Sequence, residues 1–304
     1  MNKLSLFRSV MIITAALLAI TAANGAIAQD MPLSEILIPG ENWELVADGF
    51  GFTEGPAADA DGNLYFTDIP ASRIYKLNHA TKQLTVFAEN THNANGLALA
   101  PNGLLYAAQG AQKRIVAYKP DGSYEIVATA ESVNDVIVAP NGHIFFSVPT
   151  GGSVWHINPE TNESKPVAEN LSPNGLILAH QGATLVVTDS TQPFLWAFRV
   201  APDGSLSAKS NNYGPVRMNP RATETRSDGM VVDDRGRLYL TSDAGLQVFD
   251  TQCRTSGVIL KPQNKWLANV TFAGPQFNYL YVTCEDKIYR RLTQAKATPL
   301  IAQQ

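Results

Sequence analysis

Short apolar runs, separated by clusters of Gly, Pro, Asn and Asp, fill the chain from Trp43 onward. One set reads Leu64-Tyr65-Phe66, Arg73-Ile74-Tyr75-Lys76 and Leu84-Thr85-Val86-Phe87; another includes Arg114-Ile115-Val116-Ala117-Tyr118 and Tyr124-Glu125-Ile126-Val127. Runs of this length, rich in aromatic and β-branched residues and bounded by turn formers, predict strands. Beyond the apolar stretch Val10–Ala23 no helical period is sustained.

The strand pattern repeats. Six segments align, led by Glu54, Asn95, Asn134, Asn174, Asp228 and Asn269, at intervals of 41, 39, 40, 54 and 41 residues. In each, an apolar strand A follows the leading polar residue. A turn follows, often Pro-Asn-Gly or Asp-Gly, then an aromatic strand B and two further runs. Four strands in about 40 residues, six times over, predict an all-β six-bladed β-propeller with four-stranded blades around a central channel. The ring must close to hide its last sheet edge. Trp43-Glu44-Leu45-Val46-Ala47-Asp48 reads as an outer strand and is expected to complete the blade begun at Asn269; Pro299-Leu300-Ile301 is the alternative. The longest interval holds an insertion, roughly Ser205 to Ser227, with Tyr213, Arg217, Met218, Arg221 and Arg226. It reads as a partial lid or as a lengthened outer hairpin.

The first 28 residues read differently. Lys3 and Arg8 precede the apolar stretch, and Ala26-Ile27-Ala28 follows it. A basic start, an apolar run too short to span a bilayer and a small-x-small site predict a cleavable secretory signal, and the periplasm as destination. Residues 29–304 then form a single propeller domain, expected to be monomeric and free of the membrane after cleavage. With 23 basic against 27 acidic residues, no basic surface for nucleic acid is expected. Of the two cysteines, Cys284 ends a B strand and Cys253 falls in a C–D turn, at opposite ends of their blades, so no disulfide is expected.

In a propeller the A strands line the channel, so the six leading residues gather at one of its ends. All six are carboxylates or amides, hard oxygen donors that suit Ca²⁺. No His or Cys metal spacing occurs. Asp59-Ala60-Asp61-Gly62-Asn63 begins like a calcium loop, but Leu64 stands where that loop requires glycine, so it reads as the A–B turn. His92, three residues before Asn95, belongs at the same end of the channel. Asp68 and Asp189, at the ends of B strands, return there as well, and either capping turns or touching substrate accounts for them.

Phe52-Thr53-Glu54-Gly55-Pro56, Asn134-Asp135, Ser172-Pro173-Asn174-Gly175-Leu176 and Asp228-Gly229-Met230, in this order, resemble the regucalcin (senescence marker protein)/gluconolactonase family of calcium-dependent lactonases. The resemblance runs from about Trp43 to Leu292. It implies one divalent cation, Ca²⁺ before Zn²⁺ or Mn²⁺, on Glu54, Asn174 and Asp228, with Asn134 at or beside it. It also implies a lactone opened by water; with the metal in place, Asp228 could coordinate through one oxygen and take the proton through the other, and Asp135 is the alternative base or only orients its turn. Asn134, Asn95 and His92 are the candidate substrate-binding residues. The substrate side departs from the family: Ser132 stands where animal members carry an Arg, and Ser147-Val148-Pro149 replaces the Thr-Asp-Pro of many bacterial ones. A small lactone or ester is thus the expected partner. Another ester or phosphotriester hydrolase on the same site, or a propeller that binds without catalysis, are the alternatives.

Overall fold

A computed structural model describes residues 33–298, save residue 221. The secretory signal read over 1–28 and the alternative closing strand at 299–301 lie outside the described residues.

The strands form six four-stranded antiparallel sheets. Strand β1 (Glu44–Asp48) precedes blade 1, which consists of β2–β5 (Thr53–Ala58, Leu64–Asp68, Arg73–Leu77, Leu84–Glu89). Blade 2 is β6–β9 (Ala94–Leu99, Leu105–Gln109, Arg114–Tyr118, Tyr124–Thr129). Blade 3 is β10–β13 (Val136–Val138, Ile144–Val148, Ser153–Ile157, Ser164–Glu169) and blade 4 is β14–β17 (Pro173–Ala179, Thr184–Asp189, Leu195–Val200, Leu206–Tyr213). Blade 5 is β18–β21 (Met230–Val232, Leu238–Ser242, Gly245–Phe249, Thr255–Ile259). Blade 6 draws β22–β24 (Leu267–Ala273, Tyr279–Cys284, Lys287–Leu292) from the C-terminal end and takes β1 as its outer strand.

Closure therefore uses the N-terminal strand. β1 pairs antiparallel with β24, from Glu44↔Arg290 to Asp48↔Lys287, with a bulge between Leu45 and Ala47. Arg290, largely buried, ties the seam together: Nε donates to Glu44 Oε2 at 2.7 Å, and Nη1 to the His79 carbonyl at 3.0 Å and Tyr281 Oη at 3.2 Å. A single guanidinium on the C strand of blade 6 thus joins the first strand, the B strand of blade 6 and the turn after β4.

The core lies between neighbouring blades. Phe66, Phe145, Phe146, Tyr239, Phe249 and Tyr281 are almost wholly buried, each contributing about 1.5–3 kcal/mol of apolar burial. The insertion is divided. Its first half is β17, an outer strand of eight residues. The second half is a strap held to blade 5: Thr255 Oγ1 donates to the Pro215 carbonyl, and Arg217 exchanges two backbone hydrogen bonds with the Gln247 amide at 2.8 Å each. Val216 is buried in the core of blades 4 and 5. The segment is anchored, and the outer-hairpin reading accounts for its first half. Both cysteines are free thiols, as their places in the strand order require. Among the described residues no helix is long and apolar enough to cross a membrane.

Candidate functional site

The A strands line a channel of about 860 Å³, apolar for most of its length, with Leu97, Ile137, Ile177 and Val270 on its wall. Gly55, Asp135 and Asn269 bound one end; Pro140, His180 and Asp233 lie toward the other. Both ends are polar, and the leading residues of the blades gather at the end where the A strands begin.

Local sequence explains how they come so close. In blades 1, 2, 4 and 5 the residue after the leading one is glycine. A Cβ on Gly229 would stand 1.9 Å from Asn269 Oδ1, and one on Gly96 would stand 2.2 Å from Asp135 Oδ1. Bare backbone in one blade leaves room for the polar side chain of the next. Blade 3 has Asp135 where those blades have glycine, which adds a third carboxylate to the ring.

Asn269 is the hub. Its Nδ2 donates to Glu54 Oε2 at 3.0 Å and, more weakly, to Asp135 Oδ2 at 3.4 Å. Glu54 Oε2 also accepts from the Gly55 N–H at 2.7 Å. In the neighbouring blade 5, Asp228 Oδ2 accepts from the Trp266 indole N–H at 3.0 Å. Glu54, Asp135 and Asp228 are all buried. Burial pushes the Glu54 carboxyl up to about 7 in spite of its two donors. Asp135 is raised well above the carboxylate range by burial and then by Glu54; Asp228 is raised by burial and then by Glu54 and Asp135. No Lys, Arg or His contributes to any of these shifts. The three acids therefore repel one another, with no cationic side chain among the described residues to offset them.

The amides complete the pattern. Asn95 Oδ1 and Asn174 Oδ1 are buried and accept no hydrogen bond from the described residues. An orphaned amide oxygen costs about 1–3 kcal/mol unless something else binds it. Among the described residues no three His, Cys, Asp or Glu side chains make a metal-binding group by themselves. The donors that could hold a hard divalent cation are therefore mixed: carboxylates from Glu54 and Asp228, and an amide oxygen from Asn174. Asn134 leads blade 3 and is half-buried, with its N–H bonded to the Ser147 carbonyl at 3.1 Å.

The other candidates separate. Asn95 leads blade 2 with its side-chain oxygen orphaned. Half-buried His92 has a φ of 55°, and its carbonyl accepts from the Ala111 N–H. No hydrogen bond among the described residues joins its ring to the acids. Asp68 and Asp189 cap turns: Asp68 accepts from the N–H groups of Gly51 and Phe52, Asp189 from Ser172, Thr191 and the Trp196 indole. Asp59 does the same in the A–B turn, accepting from the Asp61 and Asn63 N–H groups. Two residues that bond the buried acids stand out less in the sequence. Asn269 was visible only as one leading residue among six, and Trp266 had no chemistry of its own to mark it. Its place offered a signal: it precedes Asn269 by three residues, as His92 precedes Asn95.

Fold and cluster together define a six-bladed propeller with an oxygen-donor site at one end of its channel. The chain belongs to the family described as SMP-30/Gluconolactonase/LRE-like region, whose profile matches residues 52–286. It is 22% identical over 291 residues to a gluconolactonase of Zymomonas mobilis subsp. mobilis, covering 83% of this chain and 81% of that one. It is 23% identical over 272 residues to the lactonase drp35 of Staphylococcus haemolyticus, covering 82% and 83%. Among solved structures, a gluconolactonase from Xanthomonas campestris superposes with a TM-score of 0.75 at 22% identity, covering 88% of this chain and 96% of that one. A calcium-binding protein, regucalcin, from Agrobacterium tumefaciens gives 0.72 at 16% identity, covering 85% and 96%. These two share the fold.

Proposed function

We propose that the protein is a divalent-cation-dependent hydrolase that opens the ring of a small lactone with water. The observation that carries this reading is the presence, at one end of the channel, of orphaned amide oxygens, above all Asn174 Oδ1, and of three buried acids with no basic partner among the described residues. Lactonase relatives of nearly full length support the choice of substrate class. Glu54, Asn174 and Asp228 would hold the cation, Ca²⁺ in preference to Zn²⁺ or Mn²⁺, with Asn134 beside it. When bound there, such an ion supplies a Lewis acid that polarises the lactone carbonyl.

The chain's own residues do the rest. Asp228 has Oδ2 engaged by Trp266 and Oδ1 free of any hydrogen bond among the described residues, so it can take a proton from the attacking water while its orientation is held. General-base help of this kind is worth about 10²–10⁴-fold. Asp135 remains with Asn269 at the channel end, where it adds negative charge to the ring and serves as the alternative base. Asn134 and Asn95 offer amides to the substrate, with His92 nearby in the chain. Water adds to the carbonyl carbon, the ring C–O bond breaks, and the ring oxygen takes a proton to leave as a hydroxyl. The new carboxylic acid then ionises and releases one proton at neutral pH. Export to the periplasm by the 1–28 leader would place this activity outside the cytoplasm.

Proton release over a panel of lactones, with and without EDTA, tests the reading. Turnover that EDTA abolishes and Ca²⁺ restores is expected. No turnover of any lactone by protein shown to hold metal would overturn it and favour a propeller that only binds.

A further inference from the structure

A second cavity, about 290 Å³, adjoins the reactive end beside Trp266. Its wall is polar, and its charged groups can be matched in pairs. Lys261 faces Asp243 at 3.6 Å, and Lys265 faces Glu285 at 3.3 Å and Asp286 at 3.1 Å. Arg226 remains. It lines the same cavity, it is exposed, and it forms no ion pair among the described residues. Its guanidinium lies 5.0 Å from the centroid of the Trp266 ring, and the N–H of that ring donates to Asp228 at 3.0 Å. One indole therefore connects the unpaired cation to the proposed base.

Arg226 is also held in place. Its neighbours Thr225 and Ser227 are buried at 1% and 0% exposure. Thr225 Oγ1 donates to the Ser190 carbonyl at 3.1 Å, and Ser190 Oγ donates to the Ser227 carbonyl at 3.4 Å. Between these anchors Arg226 has a φ of 49°, in the left-handed region that a long L side chain rarely adopts. The adjacent Ser227 Oγ is buried without a hydrogen-bond partner among the described residues. A planar, permanently charged fork with no carboxylate of its own is suited to a carboxylate or phosphate on a ligand.

We infer that Arg226 selects lactones with an anionic group at the end remote from the ring carbonyl, seated in the pocket between blades 5 and 6. The lactone part of this inference rests on the hydrolase reading above; the anion part rests on Arg226 and its pocket. Calorimetric titration with three ring-opened acids separates the two. Gluconate carries only the carboxylate that ring opening creates, glucarate adds a second carboxylate at the far end, and 6-phosphogluconate adds a phosphate there. In the wild-type protein with Ca²⁺, one or both of the doubly charged acids should bind about 10- to 100-fold more tightly than gluconate, a range typical of one charge-assisted fork contact. The stronger of the two identifies the anion. Arg226→Gln should collapse that ratio to near one, and Arg226→Lys should restore part of it. Equal affinity for all three acids, or a ratio unchanged in Arg226→Gln, overturns the inference. If the ratio behaves as expected while no lactone is hydrolysed, the hydrolase reading fails and the anion site stands. If lactones are hydrolysed without the ratio, the anion site fails alone.

Discussion

Replacing Trp266 with phenylalanine would remove one atom group of consequence, the indole N–H. Phenylalanine retains an aromatic face for Arg226 and most of the apolar wall. It cannot donate to Asp228 Oδ2, which loses the one side-chain hydrogen bond that the described residues give to this carboxylate. A hydrogen bond to a charged group contributes about 1.5–3 kcal/mol, or roughly a 10- to 150-fold effect. Loss of a group that orients a metal ligand typically costs about 10- to 100-fold in affinity or activity, so two independent lines of argument give the same range. The bond favours the ionised carboxylate, so its loss raises further a group that burial and its acidic neighbours already raise. Trp266→Phe should therefore lower kcat/KM for lactone opening by about 10- to 100-fold and weaken Ca²⁺ binding measured by calorimetry, while the protein remains folded. A variant within twofold of wild type in both would refute the argument that Trp266 orients Asp228.

Other predictions concern stability and covalent state. His143 Nδ1 and His156 Nε2 lie 2.7 Å apart and buried in blade 3, where burial and then His143 lower His156 to about 4. Neutral His156 therefore contributes stability that is present above the ordinary histidine range and lost as pH falls from about 6.5 toward 4. Melting curves from pH 7.5 to 4 should show wild type losing more Tm than His156→Leu; parallel curves would contradict this. Arg290→Met strips hydrogen bonds from Glu44, His79 and Tyr281 at the ring closure and should cost about 2–4 kcal/mol, read as a lower urea midpoint; an unchanged midpoint would show that the β1 seam does not depend on it. Thiol titration of denatured, unreduced protein should find both Cys253 and Cys284 free, and a monomeric mass with no titratable thiol would contradict the strand order of blades 5 and 6.

The blade pattern was legible because it is local. Each strand announces itself in four or five residues, each turn in two or three, and six repetitions leave one architecture. The closing strand was legible for the same reason, since Glu44–Asp48 reads as an outer strand wherever it falls. The leading residues were also legible, because strand order alone places them at one end of the channel. Their pairing was not. Asn269 and Glu54 are 215 residues apart, and which amide serves which acid depends on side-chain reach across the axis. Trp266 went unnoticed because an aromatic residue before a strand resembles core; its bond to Asp228 depends on the direction of one N–H. The insertion misled in part, because length signals an exception without saying where the chain docks. The Gln247 amide that fixes Arg217 belongs to another blade and has no sequence signature.

The central claim is that Glu54, Asn174 and Asp228 hold one divalent cation at the channel end. Calcium titration of EDTA-treated protein, followed by calorimetry, tests it without reference to any substrate. Wild type should bind one Ca²⁺ per chain at this site. Asn174→Ala removes the orphaned oxygen, and Glu54→Gln removes one negative charge while preserving shape, so each should weaken that binding by about 10-fold or more. Wild-type protein that binds no Ca²⁺, or an Asn174→Ala variant that binds it with undiminished affinity, would contradict the account.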